Sequence, residues 1–237
     1  MTDWGKLSHA YGDADDIPAL LARMSPDPKD EVWGELWGRL CHQSTVFSAS
    51  FPALPALEEA AASWSAAERS QPLMLAAGIV AATGAPEHYL AGLEPVIDSL
   101  HALALEAIVL PGRSPAEFVY LAESVFAFEG DRLWGRNLEG LIDGEFSAAC
   151  PHCGARLIVG AAESEFFFAL DPSRSAEPRR SPVRPAVEPG EIGRRLTEWA
   201  LAAQQSEVAS QVPYLFGAGR CPSCEAELSV PEALAAP

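Results

Sequence analysis

The chain uses four of its five cysteines in two copies of one phrase, CPHCGARL at Cys150–Leu157 and CPSCEAEL at Cys221–Leu228. Two thiols held two residues apart by a proline-containing turn point at one spot, and backbone N–H groups in such a turn help to stabilise thiolates. A pair of these turns supplies a tetrahedral four-sulfur shell, the ligand set of a structural Zn2+ site with no position open to substrate. Cys150, Cys153, Cys221 and Cys224 are therefore the expected metal ligands, in a zinc-ribbon-like element interrupted by the long insertion 154–220. Half a shell binds poorly, so the metal has to join two remote stretches that lack enough apolar mass to hold together alone. A dithiol redox pair is disfavoured because no βαβ pattern accompanies either motif, and iron–sulfur clusters more often use other spacings. His152, between the first two thiols, is expected to point outward. Cys41, the remaining cysteine, falls on the apolar edge of a helical pattern and reads as a buried core residue.

No other constellation reaches a catalytic signature. The sequence has no Gly-x-Ser-x-Gly, no phosphate-cradling glycine loop and no His-Glu-x-x-His. Histidines 42, 88 and 101 are scattered; His42, in the polar run CHQSTV, is expected to order the turn after its helix. The acidic run at Asp13, Asp15 and Asp16 lacks the glycine and the terminal glutamate of a calcium loop and reads as a helix start. A non-enzymatic protein is the expectation, and a small-molecule substrate is not expected.

The elements that must position the cysteines follow from periodicity and stop signals. Asp27-Pro28 reads as a helix start, followed by Trp33, Leu36, Trp37 and Leu40 on one face. Pro52–Trp64, Pro72–Thr83, a segment from Glu87 or Glu94 to Leu110, and a short turn after Asp16-Ile17-Pro18 add further helices. Ser114-Pro115-Ala116-Glu117 is a capping box, with Phe118, Leu121, Val125 and Phe128 in phase behind it. No alternating strand pattern precedes Glu145. After Gly144 the character changes: strands are expected over Glu145–Cys150, Arg156–Gly160 and Glu165–Leu170. A polar Pro/Ser/Arg-rich loop or disordered linker follows at 171–190, then a helix over Glu191–Ser210.

The expected fold is mostly α: residues 1–144 form a solenoid or bundle of antiparallel helices with short connections. Residues 145–237 form a small zinc-ribbon-like α+β domain with the insertion at about 171–190. HAYGDADDIPALLARM followed by VWGELWGRLCHQSTVFSASFPALPAL resembles bacterial, actinobacterial-type HEAT-like repeat proteins, over about residues 4–130. The resemblance implies an α-solenoid. Some helical-repeat proteins of similar look serve as immunity proteins in toxin systems.

Net charge is −17, and it is uneven: residues 1–149 carry 22 acids against 8 bases, a balance of −14. Such a body repels phosphate backbones and suits a basic protein partner. The leading functional expectation is thus a protein-binding module, in its narrowest form an immunity protein covering a basic nuclease- or deaminase-like toxin. Asp13, Asp15, Asp16, Glu58 and Glu59 are the candidate contact acids. The alternative is a nucleic-acid-associated zinc-ribbon protein in transcription or translation, supported only by Arg174, Arg179, Arg180 and Arg184 in the linker; an undetected enzyme comes third. No run of apolar residues is long enough for a membrane span. MTDWGKLSHAYGD has neither the basic nor the apolar region of a secretory signal, so a cytoplasmic location is expected.

Overall fold

A computed structural model describes residues 2–82, 89–162, 165–171 and 179–236. About half of the chain is helical, with small antiparallel sheets beside the helices. It divides into two compact units, Met1–Leu110 with Tyr120–Arg136, and Pro111–Val119 with Asn137–Pro237.

The first unit opens on a two-residue hairpin, β1 (Ser8–His9) and β2 (Gly12–Asp13), and the short helix α1 (Ile17–Leu21). Helix α2 (Glu31–Leu40) starts four residues after Asp27, because Asp30 caps it by accepting the Val32 N–H at 3.0 Å. Asp27 instead closes the preceding turn by accepting from Lys29 N–H at 2.9 Å. The expected stripe is present: Val32, Trp33, Leu36 and Leu40 are buried, and Trp37 packs half-buried against Gly78, where an added Cβ would lie 3.0 Å from its ring. A second hairpin, β3 (Cys41–His42) and β4 (Thr45–Val46), follows at once. Both of these small ribbons fall where alternation is too short to register in sequence.

Helices α3 (Ser50–Ser63), α4 (Ser70–Ala81) and α5 (Glu94–Ile108) pack on one another, burying Phe51, Leu54, Leu57, Leu73, Leu75, Ile79 and Leu100. Cys41 is buried as expected, and burial pushes its thiol up to about 11. Thr83, Gly84, Glu87 and His88 lie outside the described residues. Helix α6 (Pro115–Phe128) begins at the expected proline, with Ser114 Oγ accepting the Glu117 N–H at 3.2 Å. Phe118, Leu121, Val125 and Phe128 are all buried.

The hairpin near the N-terminus is tied down by a polar cluster. His9, 8% exposed, lies with Nδ1 3.0 Å from the Tyr11 backbone N and Nε2 3.1 Å from Asp16 Oδ1. Arg39 donates from Nε to Asp16 Oδ2 at 2.7 Å. Burial acts to raise the Asp16 carboxyl, but the Arg39 hydrogen bond and the His9 and Arg39 charges outweigh it and hold the group below its ordinary 3.8. A lowered carboxyl stabilises the fold above its unfolded value, and that contribution disappears as pH falls through the folded one. Asp16→Asn is therefore expected to cost about 1 kcal/mol or less at pH 7, given the partial exposure of the pair. The gap to wild type should close below pH 3.8; paired urea melts across that range check it.

Two short helices follow in the chain, α7 (Trp134–Asn137), whose last residue is the first of the longer segment of the second unit, and α8 (Gly140–Asp143), which lies within it. An antiparallel sheet follows in the order β5 (Glu145–Ala149), β6 (Arg156–Ala162), β7 (Glu165–Leu170), β8 (Arg180–Pro182). Its first three strands were legible, but β8 sits inside the segment expected to be a loop or linker. It forms because its backbone pairs with β7, Phe168 opposite Ser181, rather than because of its side chains. Residues 172–178, with Arg174, lie outside the described residues.

Helix α9 (Gly190–Ala202) and helix α10 (Ser206–Leu215) replace the single helix expected over Glu191–Ser210. Gln204 takes a left-handed φ of 62°, and the Gln204 and Gln205 N–H groups donate back to Leu201 and Ala200 at 3.1 and 2.7 Å. That is the helix-ending pattern usually marked by glycine. The chain closes with a hairpin, β9 (Ala218–Arg220) and β10 (Glu227–Ser229), and helix α11 (Val230–Ala235). Ser229 and Glu232 cap α11 reciprocally. Val183, Leu196, Val212, Leu215, Leu228 and Val230 join Phe166 and Phe168 in the buried interior of this unit.

Candidate metal centre

The two Cys-Pro-x-Cys turns are the tips of two hairpins, β5–β6 and β9–β10, built to the same plan. Ala149 pairs with Arg156 and Arg220 with Glu227, so each turn spans the same length between its last strand pair. In the first turn Cys150 N–H donates to Ala155 O at 2.9 Å and Gly154 N–H to Cys150 O at 2.8 Å. The second repeats both bonds, Cys221 to Ala226 and Glu225 to Cys221, each at 2.9 Å. Both turns demand a left-handed residue just after the second cysteine: φ is 69° at Gly154 and 62° at Glu225. Glycine adopts that conformation freely, whereas a side chain there costs about 1 kcal/mol. Glu225→Gly is expected to stabilise the second turn by up to about that amount, and Gly154→Ala to cost about as much in the first. Thermal melts of the two variants should move in opposite directions.

All four sulfurs lie within 4.8 Å of one another. Two contacts run between the turns, Cys150 Sγ to Cys224 Sγ at 3.8 Å and Cys153 Sγ to Cys221 Sγ at 3.9 Å. These separations are far beyond an S–S bond, and all four cysteines are free. The first cysteine of each turn is buried and the second exposed. Among the described residues no other group of histidine, cysteine or carboxylate side chains is gathered tightly enough to hold a metal ion. His152 is exposed and outside the cluster, in line with the sequence reading.

The four thiols titrate unequally. The Ala155 N–H, helped by the neighbouring thiols, lowers Cys153 to about 7, while burial pushes Cys221 up to about 12. Four sulfurs this close cannot all ionise against one another; a bound cation removes that conflict and deprotonates the set.

What brings the second turn to the first is the seat of β9. Arg184 and Ala218 exchange backbone bonds at 2.8 and 3.0 Å, extending the line of β8 onto β9. The approach is tight: a Cβ on Gly217 would lie 2.3 Å from Arg184 O, and one on Gly219 2.7 Å from Pro182 O and 3.1 Å from the Phe168 ring. The sequence reading assigned these glycines no role, because close approach of backbone to backbone leaves no periodic mark. Alanine at Gly219 is expected to weaken metal binding by displacing Cys221 and Cys224, read by competition with a chromogenic chelator.

The candidate contact acids are not equivalent. Asp13, Asp15 and Glu59 are exposed. Asp16 is committed to Arg39 and His9, and Glu58 accepts the Ser99 hydroxyl at 2.6 Å, so both serve the fold. Arginine 179, Arg180 and Arg184 are exposed on and beside β8, and the Arg180 guanidinium lies 4.3 Å from the Phe167 ring centroid. Arg180 and Arg184 border a groove of about 460 Å3 lined also by Phe166, Pro182, Pro185 and Tyr214. Among the described residues no helix is long and apolar enough to cross a membrane.

No family model, curated protein or solved structure matches this chain.

Proposed function

We propose that this protein is a non-enzymatic protein-binding module whose C-terminal unit is held together by one structural Zn2+ ion on Cys150, Cys153, Cys221 and Cys224. Geometry supports the metal assignment. A tetrahedron with Zn–S bonds of about 2.3 Å has S···S edges of about 3.8 Å; Cys150–Cys224 and Cys153–Cys221 lie at 3.8 and 3.9 Å, and all four sulfurs lie within 4.8 Å of one another. Tetrahedral four-sulfur sets suit zinc or iron; in a four-thiolate shell every ligand position is taken, which favours a structural role over catalysis. The residues that would hold the ion are the four cysteines, and the chemistry it would supply is charge neutralisation and cross-linking. Elemental analysis of purified protein is expected to give one zinc and no iron per chain.

The binding role rests on a single observation, the −14 balance of residues 1–149. In this reading the N-terminal helices form a HEAT-like stack whose exposed acids, Asp13, Asp15 and Glu59 among them, meet a basic partner. The narrowest form is a cytoplasmic immunity protein for a nuclease- or deaminase-like toxin. Co-expression with the product of the adjacent gene is expected to recover a complex and suppress that product's toxicity. The triple reversal Asp13→Lys, Asp15→Lys, Glu59→Lys should abolish recovery while leaving the melting curve unchanged. Recovery of nothing, with toxicity unaltered, would sink the reading.

One observation favours a second reading, a nucleic-acid contact: the exposed Arg180 of β8 over the Phe167 ring, an arrangement able to meet a phosphate backbone and a base. It requires a gel shift of single- or double-stranded DNA or RNA that weakens steeply with salt and is lost in Arg180→Glu. The excess of acid over base predicts no such shift.

A further inference from the structure

The four sulfurs are not equivalent to a reagent arriving from solvent. Cys153 and Cys224 are exposed, Cys150 and Cys221 buried, and each exposed sulfur contacts the buried sulfur of the opposite turn, at 3.9 and 3.8 Å, within a cluster whose four sulfurs all lie within 4.8 Å of one another. The buried member of each pair sits behind the exposed one with a short path to it, and Cys41, the fifth thiol, is sequestered in the other unit.

We propose that the cluster is a peroxide-reactive modification site in which Cys153 and Cys224 are the attacked thiolates. Cys221 and Cys150 resolve them, so that oxidation replaces the metal by two cross-turn disulfides, Cys153–Cys221 and Cys150–Cys224. The proposal rests on the zinc assignment for its metal-release step and on the sulfur geometry alone for its pairing.

The chemistry balances. An exposed thiolate attacks one oxygen of hydrogen peroxide, the O–O bond breaks, and the products are a sulfenic acid and hydroxide. The buried thiolate then attacks the sulfenic sulfur, forms the S–S bond and expels a second hydroxide. Sulfur is oxidised and peroxide reduced. Repeated at the second pair, the sequence consumes two peroxides, leaves no thiolate to hold the cation, and releases it. Four cysteines permit three pairings. Pairing within a turn would separate the two hairpins, whereas either cross-turn pairing keeps β5–β6 and β9–β10 tied together after the ion has gone; the Cys150–Cys224 and Cys153–Cys221 contacts at 3.8 and 3.9 Å point to the one proposed. Each S–S bond requires its sulfurs to close from just under 4 Å to about 2 Å.

The test uses the full-length protein as purified, treated with hydrogen peroxide, with metal release followed by a chromogenic chelator. Trypsin cuts after Arg136, Arg156 and Arg220, placing Cys150 and Cys153 on one peptide and Cys221 and Cys224 on another. The expected result is a single doubly linked pair of these peptides, with fragmentation between the cysteines assigning Cys150 to Cys224 and Cys153 to Cys221. Release should take about two peroxides per ion and be reversed by a dithiol reductant. Brief exposure in the presence of dimedone should label Cys153 and Cys224 and spare Cys150 and Cys221.

Unlinked peptides with internal disulfides, a Cys150–Cys221 link, label on the buried thiols, or metal retained under excess peroxide would each overturn the proposal. If elemental analysis finds no zinc, the structural-metal reading fails separately. Peptide mapping of the same oxidised sample still decides the pairing.

Discussion

Cys221→Ser is expected to empty the metal centre and to cost at least about 3–5 kcal/mol of stability in the metal-loaded protein, the range for losing a buried structural interaction of this kind. Serine offers a hydroxyl that stays protonated at neutral pH, so the shell falls to three thiolates around an ion whose binding carries folding free energy. The loss is larger at this position than at the exposed Cys224, because Cys221 is also 1% exposed at the base of the β9–β10 turn. Elemental analysis and urea unfolding in matched buffers measure both parts. Cys41→Ser is the control: it places a hydroxyl in an apolar site and costs about 1–3 kcal/mol, yet leaves metal content at the wild-type value. The ligands must be deprotonated to bind, so the wild-type protein is also expected to lose its metal as pH falls, releasing protons on reloading.

The second large effect lies beneath the metal rather than on it. Phe168 is fully buried at the centre of β7, opposite Val159 on one side and Ser181 on the other, with Gly219 of β9 resting on its ring. Phe168→Ala removes that support and leaves a cavity; the expected cost is about 3–5 kcal/mol, visible as a lower urea midpoint. Metal affinity should fall as well, because the floor under the second cysteine turn is lost, and competition with a chelator reads that part. Phe168→Leu, which keeps most of the volume, should cost no more than about 1.5 kcal/mol. Phe167→Ala offers the contrast: its ring is only half-buried under Arg180, so a small loss of stability with full metal affinity is expected.

The parts of this protein that could be read from the chain are those whose cause is local. Two Cys-Pro-x-Cys turns announce a cysteine cluster able to hold a metal, and the four sulfurs do converge. Trp33, Leu36 and Leu40 declare a helix face because burial repeats with the helical period. Ser114 before Pro115 declares a helix start because the cap and the fixed φ act within one turn.

The missed features have causes that lie elsewhere in the fold. Residues 180–182 are polar and proline-flanked, and they become a strand only because β7 offers an unpaired edge. The break between α9 and α10 falls at Gln204, a residue type that does not announce a left-handed turn. It holds there because Gln205 is buried and donates from its side chain to Arg113 O at 2.8 Å. The β1–β2 and β3–β4 ribbons are two residues per strand, below the length at which alternation carries information.

By itself, then, the sequence determined the four-cysteine cluster, the helical character of most of the first 140 or so residues and the strand-forming character around the first cysteine turn, because propensity, capping and thiol chemistry act over a few residues. Tertiary structure alone decided that the second hairpin docks through Gly217 and Gly219 onto the β8 line, that Asp16 and Glu58 are spent on internal partners while Asp13, Asp15 and Glu59 face solvent, and which sulfur lies next to which. Those outcomes depend on contacts between residues tens of positions apart, and a contact of that kind leaves no period, cap or turn signature in the chain that makes it.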